Sequence, residues 1–233
     1  MFERNELNID SQFEDSLRQN VAKTFIWMAV GVAITGIISF ICYNSFDFLY
    51  LLYMNQWMPF ALLIAQLGIA VVFSARLFKM KVTTVRVLFL AYAALLGITL
   101  TTWVLAYGLS SVALAFGLSV GYFVALAVIG YTTKANLMRL GPILYTGLFV
   151  FIIAEAILMF LGTDIMTMGF AAIGLALFTG ITAYDTQKMK KMYIEFEGDE
   201  DMIQRLSIYN AFQLYLDFIN IFLYILRFVG NRD

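Results

Sequence analysis

The chain has 233 residues, 62% of them hydrophobic and 13% charged, with a mean hydropathy of +0.83. That leaves too little polar surface for a water-soluble domain and reads as a polytopic membrane protein. A formal net charge of −1 predicts no nucleic-acid partner, a single cysteine (Cys42) predicts no internal disulfide, and the lack of histidine leaves carboxylates to do any proton sensing near neutral pH.

Residues 1–22 are polar and net acidic, with Glu3, Glu6, Asp10, Glu14 and Asp15 against Arg4 and Arg18. They lack the basic start, short apolar run and small-residue cleavage site of a secretory signal, and read as a retained cytosolic tail. Phe13, Leu17 and Val21 recur every fourth residue, which predicts an amphipathic lead-in to the first membrane helix.

A spanning helix needs roughly 20 apolar residues. Seven stretches meet that requirement: Thr24–Tyr43, Trp57–Ala75, Val87–Tyr107, Val112–Thr132, Pro142–Leu161, Ile165–Tyr184 and Ser207–Val229. The expectation is an all-α integral membrane protein, with the tail followed by one seven-helix transmembrane domain over residues 23–233. Trp27, Trp57 and Trp103 fall near segment ends, where indole rings favour the interface.

Lys and Arg set the orientation. The tail holds Arg4, Arg18 and Lys23, and the second loop Arg76, Lys79, Lys81 and Arg86. Lys134 and Arg139 lie in the fourth loop; Lys188, Lys190, Lys191 and Arg205 in the sixth. The odd-numbered loops carry none, and only Arg227 and Arg232 follow at the C-terminus. The positive-inside rule then puts the N-terminus and even loops in the cytosol of a multi-pass membrane protein. A basic C-terminus also fits a re-entrant last segment. Faintly similar text closes the second, fourth and sixth spans (Ser74-Ala75-Arg76, Tyr131-Thr132-Thr133-Lys134, Tyr184-Asp185-Thr186-Gln187-Lys188), as an ancestral helix-pair repeat would leave. Gly117 and Gly121 form a small-xxx-small pair that reads as a packing seam.

The chemistry concentrates in the final segment. Asn210, Gln213, Asp217, Asn220, Tyr224 and Arg227 advance by three or four residues and share one helix face, opposite an apolar face with Phe218, Phe222 and Leu223. Such a stripe either lines a polar cavity or serves as interhelical hydrogen-bond glue. A carboxylate at the depth of Asp217 goes beyond what glue requires and points to an ion or proton pathway. Asp185 closes the sixth span. If it meets Asp217, the two cannot both ionise cheaply in a low-dielectric site and titrate as a unit. Such a pair can hold one proton as a latch, or hold a hard cation such as Ca2+ transiently when both are charged.

Arg76, ending the second span, reads on sequence alone as a positive-inside residue; beside the two aspartates it would be a natural charge partner. Glu155, in the outer half of the fifth span, needs a partner too, and Arg227 is the basic residue at comparable depth, which suggests an outer closure. The acidic run Glu195, Glu197, Asp199, Glu200 and Asp201 lacks EF-hand spacing and reads as a solvated loop. No P-loop, dinucleotide fingerprint, zinc spacing or nucleophile elbow occurs, so neither an enzyme nor a bound cofactor is expected.

The stretches 179–187 (Thr-Gly-Ile-Thr-Ala-Tyr-Asp-Thr-Gln) and 214–224 (Leu-Tyr-Leu-Asp-Phe-Ile-Asn-Ile-Phe-Leu-Tyr), with Tyr131-Thr132-Thr133-Lys134, resemble the Bax inhibitor family of transmembrane proteins, particularly its bacterial members. The likeness covers most of the chain from the second span onward. It implies six helices surrounding a central seventh that spans completely, and a pH-sensitive calcium leak controlled by an aspartate pair. By that resemblance the pair falls on Asp185 and Asp217, the second-helix arginine on Arg76 and the last-helix arginine on Arg227. Two departures stand out: the acidic insertion between the aspartate helices, and a second span with no acid to oppose Arg227, where Gln66 is the nearest polar residue and Glu155 the available substitute.

The first functional expectation is a pH-gated cation leak, with calcium and protons as the small partners, membrane lipid as the surroundings, and Gln213, Asn220 and Tyr224 lining the path. The alternative is a non-transporting regulator that binds another membrane protein, such as a quality-control protease or a cell-death factor. A proton-coupled solute carrier would use the same carboxylates.

Overall fold

In a hydrocarbon setting every backbone N–H and C=O must find an internal partner, so a chain this apolar is driven into long helices. The computed structural model describes residues 2–55, 57–161 and 168–230, and these are helical almost throughout. Seven α-helices run in order: α1 (Phe2–Tyr43), α2 (Phe46–Met54), α3 (Met58–Arg76), α4 (Val82–Thr132), α5 (Gly141–Phe160), α6 (Met168–Glu195) and α7 (Glu200–Val229). Short 3-10 turns at Leu77–Lys79 and Leu137–Arg139 link α3 to α4 and α4 to α5. Six of these helices are long and apolar enough to cross a membrane, and the chain is a multi-pass membrane protein. Ile165 and Arg232 lie outside the described residues, as do the side chains of Glu3, Arg4, Glu6 and Asp10.

The surface is inverted relative to a soluble fold. Ile26, Phe40, Ile64, Val71, Ile143 and Phe149 are all exposed, as expected where lipid is the solvent. α7 is the exception, with 56% of its span window buried against 33% or less in every other candidate span. It touches each of them: α1 through Tyr215–Thr35, α3 through Phe212–Phe73, α5 through Tyr224–Phe151, and α4 and α6 along much of their length.

α4 is 51 residues long, about 77 Å at ~1.5 Å per residue, more than twice the roughly 30 Å of a hydrocarbon core. It is broken at Gly108, whose φ of 73° and ψ of 154° belong to a region essentially closed to residues with a Cβ. The chain reverses there. Before the break, Phe89 meets Phe212 and Tyr215 while Trp103 lies over Arg227, so that half runs parallel to α7. After it, Phe116 meets Phe222 and Phe123 meets Phe218, so the second half runs antiparallel. The predicted third and fourth spans are these two halves.

Three other expectations shift. α2 occupies what reads as the first loop; nine residues reach only about 14 Å, too short to cross, and Ser45 caps it by accepting from the Phe48 amide. The tail is no separate layer: α1 continues from residue 2 through the predicted boundary at residue 22, and Leu17 and Val21 are buried in the core. Gly117 and Gly121 form no seam, since a Cβ added at either would meet nothing within 4 Å. The close approach is at Gly130, where a Cβ would come within 2.4 Å of the Ala183 carbonyl oxygen of α6.

Candidate functional site: a buried carboxylate pair between α6 and α7

α6 does not end at Tyr184 but continues to Glu195, which draws Asp185 well inside the bundle. Tyr193 of α6 donates to Ser207 of α7 at 2.9 Å, fixing the antiparallel register. Eight residues further along each helix Asp185 comes opposite Tyr215, so Asp217 lies two residues beyond, about 3 Å along the axis. Phe178 against Tyr224 carries the same register deeper. The two acids therefore lie at similar depth, although Asp185 closes the predicted sixth span and Asp217 sits mid-segment.

Asp185 is 5% exposed and Asp217 3%, and each lies within reach of the other's charge. Their surroundings differ. The Tyr145 hydroxyl of α5 donates to both oxygens of Asp185, at 2.9 and 3.0 Å. Among the described residues, Asp217 Oδ2 is buried with no hydrogen-bond partner, as is Asn210 Nδ2 two turns away on the same face of α7. The cation whose field reaches both acids is Lys188, one turn past Asp185, its ammonium 5.9 Å from the Tyr184 ring centroid. Arg76, the partner expected from sequence, is exposed at the end of α3 and makes no hydrogen bond or ion pair to a described residue. The physical reason is register: Lys188 is on the aspartate's own helix, whereas α3 packs mainly on α4.

The rest of the α6 motif holds the site in place. Tyr184 packs edge-on against Tyr145. Thr186 lies against Gly130 and donates to the Thr182 carbonyl. Gln187 donates to the Ala135 carbonyl at 2.8 Å and accepts from the Leu137 amide at 2.9 Å, which pins the α4–α5 turn to α6. Toward the basic end, the Tyr193 hydroxyl also meets Thr24 of α1 at 2.5 Å. Tyr145, Lys188 and Tyr193 are not singled out as site residues by the sequence.

Along the α7 stripe, Gln213 is half-buried with no hydrogen bond to a described residue, and Asn220 donates to the Leu216 carbonyl of its own helix. Tyr224 packs against Gly174, Phe151 and Phe178. Beyond it, Arg227 and Glu155 approach to 3.6 Å, with side chains 10% and 24% exposed, and the guanidinium also faces the rings of Trp103 and Tyr224. Gln66 instead donates to Thr99, tying α3 to α4. In the acidic run, Asp199 caps α7 by accepting from the Met202 amide, and no group of three or more acids or other metal-ligating side chains gathers among the described residues.

A family model described as "Inhibitor of apoptosis-promoting Bax1" (Bax1-I) matches residues 17–233. "Inner membrane protein YbhL" of Escherichia coli K12 is 36% identical over 217 residues, which cover 93% of each chain. A protein of Borreliella burgdorferi is 33% identical over 230 residues, covering 99% of this chain and 96% of its own. Protein RP147 of Rickettsia prowazekii is 36% identical over 220 residues, 94% of this chain and 92% of its own. With its buried aspartate helices matched along almost their whole length, the chain belongs to the Bax inhibitor family.

Proposed function

We propose that the protein is a pH-gated cation leak, with calcium as the cation, whose gate is the Asp185–Asp217 pair. The observation that carries this reading is two enclosed carboxylates on neighbouring helices, one held by a tyrosine and the other with an unpartnered oxygen at lipid depth. Nothing about structural glue calls for that combination. When one proton bridges the pair, α6 and α7 stay together and the basic end is closed. When both acids ionise they repel, and a hard cation passing between them replaces the lost proton as the neutralising charge. Gln213, Asn220 and Tyr224 continue the path along α7, and the Glu155–Arg227 pair closes its far end.

The membrane arrangement that goes with this is seven crossings, α4 contributing two on either side of Gly108, with α7 as the central helix. The N-terminus and basic loops face the cytosol, and the membrane is the inner one, as the name of the Escherichia coli relative has it for that protein. The protein has no enzymatic role in this scheme.

Calcium flux from liposomes holding the purified protein tests the reading. Wild-type flux rises as pH rises, and Asp217→Asn removes that dependence. A mutant with the wild-type pH profile overturns the latch. Absence of flux by pure protein, with a crosslinked membrane-protein partner, favours the regulator instead; flux that requires an organic solute favours the carrier.

A further inference from the structure

Away from the carboxylates, cavities adjoin one another along the seam between α1 and the second half of α4. The cavity at the basic end, about 470 Å³, lies between Val21 and Phe25 of α1 and Ala127 and Tyr131 of α4. The next, about 620 Å³, shares Phe25, Phe123 and Val124 with it, runs on to Gly36, and has Phe218 of α7 on its wall. The α1 wall is open: a Cβ added at Gly36, which lines the second cavity, would meet nothing within 4 Å. From Val21 to Gly36 the groove runs about 22 Å, longer than the ~15 Å depth of one leaflet.

We infer that this groove is a binding site for one anionic membrane phospholipid, an acyl chain lying between α1 and α4 and the headgroup at the basic end. The lining is almost wholly apolar, from Val21, Phe25 and Val32 on α1 to Phe123 and Val124 on α4, which suits an acyl chain. Charge argues for an anionic head. Lys190 holds its ammonium 4.9 Å from the ring centroid of Tyr131, which lines the mouth. Arg18 lies on the same α1 face as Val21, one turn earlier, and Lys134 follows Thr132 of the mouth by two residues. Glu14 on that α1 face pairs with Arg18 at 3.4 Å, which leaves the positive charge of the mouth to Lys190 and Lys134. One molecule with an apolar chain and a negative head satisfies both halves of the site, and its tail presses on Phe218, the residue next to Asp217.

Native mass spectrometry of the full chain, titrated with phosphatidylglycerol and phosphatidylcholine, tests this. One phosphatidylglycerol should survive collision energies that strip phosphatidylcholine. Ala29→Phe and, from the opposite wall, Val124→Phe fill the groove at exposed positions and should lower retention at least fivefold. Lys190→Gln should equalise the two lipids, and Gly68→Leu, at an open glycine on α3, should leave retention unchanged. Equal retention of both lipids by wild type overturns the proposal. So does wild-type retention by both filled variants, or an adduct with the mass of a second copy or another polypeptide that Ala29→Phe removes.

Discussion

Tyr145 spends its one hydroxyl proton on both oxygens of Asp185, at 2.9 and 3.0 Å, while Asp217 beside it keeps a buried oxygen with no donor among the described residues. The pair is therefore unequal. α5 supplies the charged form of Asp185 with a donor and leaves Asp217 as the acid that gains most from carrying a proton. A hydrogen bond to an ionised group is worth about 1.5–3 kcal/mol, and one pH unit corresponds to about 1.4 kcal/mol. Without that donor Asp185 accepts the shared proton more strongly, so in Tyr145→Phe the bridged, closed state persists to higher pH. The midpoint of calcium flux against pH is expected to move up by about one unit. A midpoint unchanged from wild type would separate Tyr145 from the gate.

At the other end of α7, Glu155 and Arg227 approach to 3.6 Å. Removing one member of a buried pair strands the other charge, a loss that reaches 3–5 kcal/mol when both are fully enclosed. Here Glu155 is 24% exposed, and Arg227 keeps the faces of Trp103 and Tyr224. Glu155→Gln should therefore cost ~1–2 kcal/mol, and Glu155→Gln/Arg227→Gln together less than the sum of the single changes. Thermal unfolding in detergent measures the cycle. If the pair also closes the path, Glu155→Gln raises flux at every pH without moving the midpoint, an effect distinct from that of Tyr145→Phe.

What could be read from the chain divides along physical lines. Asp217 announces itself because an acid inside an apolar run is expensive whatever surrounds it, and the 3–4 spacing of its polar neighbours puts them on one face without any tertiary knowledge. The Glu155–Arg227 contact was legible for the same reason: both are isolated charges at similar depth. Tyr145 and Lys188 were not, because a tyrosine or lysine at a span edge is ordinary, and its role depends on which helix faces it. Arg76 is exposed at the end of α3, and ending a span near the basic side says nothing about azimuth. Gly117 and Gly121 have the spacing of a seam, yet spacing cannot tell a face turned to lipid from a face turned to α6. The break at Gly108 falls in the gap that the sequence leaves between the predicted third and fourth spans.

Tyr215 offers a test of how α7 is held. Thr35 donates its hydroxyl proton to the Ala93 carbonyl at 2.9 Å, so the 2.6 Å contact between Thr35 and Tyr215 has Tyr215 as donor. That chain joins α7 to α1 and α1 to α4. Tyr215→Phe keeps the ring stacked edge-on against Phe89 and Tyr92 and deletes only the donor. Interhelical hydrogen bonds in membranes average about 0.6 kcal/mol, so the expected loss is ~0.5–1.5 kcal/mol by chemical unfolding, with the pH midpoint of flux unchanged. A shift of that midpoint would place Tyr215 in the gate rather than in its frame.

The glycines give the sharpest contrast. At Gly130 a Cβ would come within 2.4 Å of the Ala183 carbonyl oxygen and 2.9 Å of the Ala183 Cα. Both are backbone atoms of α6 and cannot rotate away, so Gly130→Ala must push the α4–α6 seam apart next to Thr186 and Asp185. Overpacking of this kind costs about 1–3 kcal/mol. At Gly121, on the same half of α4, a Cβ meets nothing, and replacing a helical glycine with alanine recovers up to ~1 kcal/mol of backbone propensity. Melting temperatures in one detergent should thus fall for Gly130→Ala and hold or rise for Gly121→Ala. Because the seam at Gly130 sets the position of Asp185, Gly130→Ala should also blunt the pH response of flux, whereas Gly121→Ala leaves it intact. Equal destabilisation by both would return the packing seam to the small-residue pair that spacing alone suggests.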